Sequence, residues 1–109
     1  MIEIRKYCCR YTRNIAKCIN YNEMNKIIKI YPTTIIDVRS EQEYAEGHLN
    51  GAINIPLYKI KSETERIVED KNKQIIVYCT SGVRSEKAQV ILNSMGYMYV
   101  YNLISGFNQ

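Results

Sequence analysis

The sequence predicts an α/β sandwich built on a mostly parallel sheet. Three observations carry that reading. Residues 34–38 and 75–78 are compact runs rich in β-branched side chains, the pattern of strands buried on both faces. Other segments repeat apolar residues at helical spacing. The two kinds of segment alternate along the chain, an order that places helices over a parallel sheet. A chain of 109 residues fits one domain and buries a core without disulfides or a structural metal.

The elements follow in order. Residues 1–16 form a basic extension, and residues 17–109 form the domain. Ile4, Tyr7, Cys8, Tyr11 and Ile15 of the extension fall at spacings of three and four, so a helix there would have one apolar face. It is expected to dock on the domain's own surface. Residues 17–19 are a short strand. Asn20 with Glu23 makes a capping pair, in which the side chain accepts an orphan amide at a helix start. Met24, Ile27, Ile28 and Tyr31 give that helix an apolar stripe, and Pro32 ends it. Strand 34–38 comes next. Ser40 and Glu43 are a second capping box, opening a short helix that Gly47 stops. Residues 52–55 are a strand closed by Pro56. Ser62 with Glu65 is a third capping box. Strand 75–78 leads to a loop, and a helix with the stripe Ala88, Ile91, Leu92 and Met95 runs to Gly96. Residues 98–101 are the last strand.

Charge and composition narrow the function. The net charge is +4, and residues 1–17 supply all of it through Arg5, Lys6, Arg10, Arg13 and Lys17 against Glu3. The rest of the chain is neutral, so the domain is not a basic nucleic-acid module. No stretch is apolar and long enough to span a membrane, and the N-terminus lacks the apolar run of a signal peptide. Cys8, Cys9, Cys18 and Cys79 form no regular disulfide framework, and four unpaired thiols fit a reducing, cytoplasmic setting. No Cys/His set has metal-ligand spacing, so no metal and no cofactor are expected.

Ligands of an open α/β sheet bind beyond the carboxyl ends of its strands. Two polar groups fall there: Asp37-Val38-Arg39, and Cys79 directly after strand 75–78. The segment Cys79-Thr80-Ser81-Gly82-Val83-Arg84-Ser85 runs from strand end to helix start. Its small residues let the backbone curl with amides inward, and the helix adds the positive end of its dipole. With Arg84 as a positive charge nearby, a thiol in that cradle is expected to ionise early. A thiolate is the nucleophile that sulfur or phosphoryl chemistry requires.

At these residues the chain resembles the rhodanese-like domain family. The active-loop pattern is met by Cys79, Gly82, Arg84 and Ser85. A second signature is met by Ile36-Asp37-Val38-Arg39, Glu43-Tyr44, Gly47-His48-Leu49 and Gly51-Ala52-Ile53-Asn54-Ile55-Pro56. The resemblance implies a three-layer α/β/α fold with a five-stranded, mostly parallel sheet. It implies a sulfurtransferase that moves a sulfane sulfur from thiosulfate or a persulfide through a Cys79 persulfide. A thiol, cyanide or a protein would accept the sulfur. Cys79 and Arg84 are the expected catalytic residues. The loop of Thr80, Ser81, Gly82, Val83 and Ser85 would hold the persulfide, with Asp37 and Arg39 bracing the pocket. The lone histidine, His48, is expected in a structural role, Cys8 and Cys9 in none, and the protein as a monomer. Near its end the chain has Ser105-Gly106-Phe107, where the family often has Gly-Gly and an aromatic, so the packing of that turn is the open question.

Two other functions compete. A thiolate phosphatase or arsenate reductase uses the same architecture, but its loop places five residues between Cys and Arg, and here only Thr80, Ser81, Gly82 and Val83 intervene. A binding module without turnover is the other, and such modules often lack the cysteine that is present here.

Overall fold

The computed structural model describes residues 18–107. Five strands, β1 (Cys18–Ile19), β2 (Thr33–Asp37), β3 (Ile53–Asn54), β4 (Gln74–Tyr78) and β5 (Tyr99–Leu103), form one sheet in the order β1-β5-β4-β2-β3. Every pairing is parallel. Helices α1 (Tyr21–Ile30), α2 (Glu41–Glu46), α3 (Ile60–Ile67) and α4 (Val83–Ser94) cover its faces, with a 3₁₀ turn at Leu57–Lys59. The basic extension lies outside the described residues.

Strand β4 is the spine. All five of its residues are buried. Ile75, Val77 and, beyond the strand, Cys79 face one core with Ile36, Ile60, Ala88 and Leu92 from β2, α3 and α4. Ile76 and Tyr78 face the other, with Met24, Ile27 and Tyr44 from α1 and α2. The period-two alternation of a strand therefore directs Cys79 toward the α4 face.

Two capping boxes form as the sequence predicts. Asn20 accepts from the Glu23 amide and Ser40 from the Glu43 amide, and each glutamate accepts from its cap residue's backbone. The third does not form. Helix α3 starts two residues before Ser62, because the 3₁₀ turn feeds directly into Ile60, which is fully buried and fixes the entry point. Ser62 donates instead to the Lys59 carbonyl at 3.3 Å. Strand β5 extends past the expected 98–101 to Leu103, since Asn102 is buried within it, opposite Cys18 in register. On α1, Met24 is buried but Ile28 is exposed, and Tyr31, the exposed cap residue, lies just beyond the helix, so the inward stripe is narrower than the spacing suggests.

Cys18 is disulfide-bonded, against the expectation of four unpaired thiols. Pairing depends on proximity in space, which spacing along a sequence does not reveal. The cysteines therefore no longer argue for a reducing compartment. Among the described residues Cys79 is the free cysteine, and no helix is long and apolar enough to cross a membrane.

The chain closes by packing its last turn under the Cys79 loop. The Phe107 amide donates to the Cys79 carbonyl at 2.8 Å, and Tyr21 donates to the Gly106 carbonyl at 2.7 Å. Gly106 has φ 64°, and a Cβ there would run into the carbonyl oxygens of Cys79 and Thr80. Gly106→Ala is expected to cost at least about 1 kcal/mol from the left-handed backbone alone, and more from displaced carbonyls. Urea unfolding measures it, and wild-type stability would show that this turn does not pin the loop.

Candidate functional site

The site grows from the carboxyl ends of β2, β3 and β4. After Tyr78 the chain leaves the sheet, turns through Thr80 and Ser81, and enters α4 at Val83. Gly82 is the pivot. It caps α4 with φ 91°, a left-handed angle that favours glycine, and a Cβ there would lie 3.3 Å from the Ile104 carbonyl oxygen. Asn102 holds the turn from beneath, donating to the Gly82 carbonyl at 3.3 Å.

This turn wraps amides around the Cys79 sulfur. The Gly82 amide donates to Sγ at 3.1 Å and the Ser85 amide at 3.4 Å. The Ser85 hydroxyl lies 3.3 Å from Sγ, and the Ser81 amide also contributes. Cys79 is 1% exposed, and such burial alone pushes a thiol up. The hydrogen bonds from Ser85, Ser81 and Gly82 outweigh it, so the thiol lies below the ordinary cysteine value. The inward-pointing amides are therefore present, and the side chain of Ser85 joins them in lowering the thiol.

Arg84 departs from expectation. Its guanidinium does not stand free beside the thiol. It makes a two-bond ion pair with Glu43, Nη1 to Oε1 at 2.7 Å and Nη2 to Oε2 at 3.1 Å. Glu43 also accepts from the Ser40 amide at 3.0 Å as the α2 cap. Arg84 first and the Ser40 amide second hold the Glu43 carboxyl well below the usual range, at about 2. The Arg84 charge still senses Cys79, but hydrogen bonds govern the thiol.

Asp37 and Arg39 form a buried pair behind the loop. The guanidinium grips the carboxylate through Nε at 3.0 and 3.1 Å and Nη2 at 2.7 Å, and Nη2 reaches the Gly47 carbonyl at 2.6 Å. Arg39 also lies over the Phe107 ring, 4.8 Å from its centroid. Tyr78 donates to Asp37 at 2.8 Å and accepts from the Leu49 amide at 3.0 Å. Asn54 donates to the carbonyls of Asp37 and Arg39. His48 stacks on Tyr44 at 3.7 Å between ring centroids, with Nδ1 2.8 Å from the Tyr44 carbonyl. It is exposed and lies in the loop that follows α2. Among the described residues, no group of three or more His, Cys, Asp or Glu is arranged to hold a metal.

Three residues of this site escape sequence reasoning. Glu43 is recognised as a cap but not as the partner of Arg84. Tyr78 reads as a strand residue, although a buried phenol needs a hydrogen-bond partner. Phe107, two residues before the end of the sequence, gives no local sign that it covers Arg39.

A cysteine cradled by amides where a parallel sheet meets a helix defines a thiolate-type site. The sequence matches the rhodanese-like domain over residues 20–109, and the chain belongs to that family. It is 46% identical over 67 residues to thiosulfate sulfurtransferase PspE of Escherichia coli, which covers 62% of this chain and 64% of that protein. It is 33% identical over 97 residues to a tRNA uridine(34) hydroxylase of Buchnera aphidicola, covering 85% of this chain but 30% of the hydroxylase. Among solved structures, an Escherichia coli rhodanese with anions shares 44% identity at a TM-score of 0.63, over 65% of this chain and 84% of that one. A human single-domain sulfurtransferase shares the fold at a TM-score of 0.74 and 21% identity, over 84% of this chain and 91% of that one.

Ser85→Ala removes one donor from the sulfur. The thiol midpoint is expected to rise, so alkylation of Cys79 by iodoacetamide slows at neutral pH and recovers as pH is raised. An unchanged rate–pH curve would exclude the hydroxyl as a partner of the thiolate.

Proposed function

We propose that this chain is a sulfurtransferase in which Cys79 carries the sulfur. The observation that carries this reading is the buried Cys79 sulfur among the N–H groups of Gly82, Ser81 and Ser85. Such a cradle favours a negative sulfur, both as the attacking thiolate and as the persulfide it becomes. The family and the likeness to PspE support the same chemistry.

The reaction has two halves. The Cys79 thiolate attacks the outer sulfur of a donor, forming a new S–S bond. With thiosulfate the old S–S bond breaks and sulfite leaves with its electron pair. With a persulfide donor the leaving group is a thiolate. The anionic outer sulfur then stays on Cys79, held by the loop amides. An acceptor nucleophile, cyanide or a thiolate, attacks that sulfur, and Cys79 leaves as the thiolate it was. No base is needed if the thiol is already ionised, which fits the exposed loop position of His48.

In this reading Gly82 and Ser85 touch the reacting sulfur. Thr80, Ser81 and Val83 shape the loop. Arg84 ties the loop to α2, and Asp37 with Arg39 fixes the floor through Tyr78 and Gly47. The four residues between Cys79 and Arg84 make a tight ring, which suits one sulfur atom better than a tetrahedral oxyanion.

Thiocyanate formation from thiosulfate and cyanide tests the proposal. Wild-type protein is expected to show parallel double-reciprocal lines, the signature of two half-reactions, and Cys79→Ser no turnover. Phosphate release from an aryl phosphate that Cys79→Ser abolishes, without any thiocyanate, would support the phosphatase reading instead.

A further inference from the structure

The two cations that hold the site together are both spent. Arg39 is locked on Asp37 and Arg84 on Glu43. The next acid on α2, Glu41, is likewise tied to Lys59 at 3.3 Å and to the Tyr58 hydroxyl at 2.7 Å. A donor that reaches the loop therefore meets amides and neutral ion pairs. It does not meet an open positive charge from Arg84.

Glu43 does more here than capping requires. Its cap function needs one oxygen on the Ser40 amide, and that contact is present at 3.0 Å. The fork onto Arg84 bridges 41 residues of sequence and uses both carboxylate oxygens. The pair is part-exposed, with side chains 39% and 35% accessible, so solvent and dissolved ions reach it. A bidentate pair of this kind fixes the guanidinium plane as well as cancelling its charge.

We propose that Glu43 sets the donor preference of this site: by closing Arg84 into a two-bond ion pair it disfavours dianionic donors and leaves persulfides of lower charge as the better sulfur source. This inference rests on the sulfurtransferase reading above. The electrostatics follow from charge alone. A Cys79 thiolate already repels an anion, and a dianion such as thiosulfate feels that repulsion twice over. Arg84 is the loop's means of offsetting it, and Glu43 removes most of that offset. A monoanionic persulfide loses less, and its sulfur transfer balances in the same way, one S–S bond made and one broken. Glu43 is a positioning residue, since it acts through Arg84 and not on the sulfur itself.

Glu43→Gln separates the charge from the cap, because glutamine also serves in a capping box. Sulfur loading is measured with thiosulfate and with cysteine persulfide, which carries one net negative charge. The variant is expected to lower KM for thiosulfate on the order of five-fold at low salt, with a smaller change for cysteine persulfide. The thiosulfate gain shrinks at high ionic strength as the freed charge is screened. A purely structural Glu43 would act the other way, raising KM or lowering kcat for both donors alike, and that result overturns the proposal. A second readout does not depend on sulfur transfer: the ratio of Cys79 alkylation rates by iodoacetate and iodoacetamide. The ratio is expected to rise several-fold in Glu43→Gln, as an anionic reagent meets an unmasked Arg84. If neither donor loads sulfur on wild-type protein, the sulfurtransferase reading fails, and this ratio alone decides whether Glu43 masks the charge.

Discussion

A cysteine that is 1% exposed and still favours ionisation needs donors aimed at its sulfur. In this protein they come from one tight backbone turn. The Gly82 and Ser85 amides and the Ser85 hydroxyl converge on the Cys79 Sγ within 3.4 Å. Burial works against the thiolate and these hydrogen bonds work for it, with the bonds prevailing. Much of the surrounding architecture serves to hold that turn. Strand β4 delivers Cys79, Gly82 permits the left-handed step into α4, and Asn102 of β5 ties the turn down.

Two further layers keep the turn in register. Below it, the Asp37–Arg39 pair is buried, and a buried pair is tolerated only when its remaining polar atoms are satisfied. Tyr78 and the Gly47 carbonyl supply that, and Phe107 covers the guanidinium. The same contacts join the ends of β2 and β4 to the turn before β3. Above it, Glu43 links α2 to Arg84. The closing turn at Gly106 packs on the loop's carbonyls, so the departure Ser105-Gly106-Phe107 leaves the glycine where a side chain has no room.

Much of this was legible in the residues. The alternation of strands and helices, two of three capping boxes, and the position of Cys79 at a strand end all follow from local signals. Those signals act over a few residues, where spacing and chemistry coincide. The failures are long-range. Ser62 with Glu65 has the form of a cap, yet the burial of Ile60 decides where α3 begins. Ile28 and Tyr31 share a helical period with Met24 and remain exposed. Cys18 looks like one more unpaired thiol and is disulfide-bonded. Arg84 reads as a cation beside a thiol until its partner appears 41 residues upstream. Each case turns on a contact between segments that no local pattern encodes.

Whether Cys79 itself accepts sulfur is measured directly by intact mass. Reduced protein would be incubated with thiosulfate, and separately with cysteine persulfide, beside Cys79→Ser. A gain of one sulfur atom is expected on the wild type and none on the variant. No gain from either donor, or an equal gain on Cys79→Ser, would contradict it.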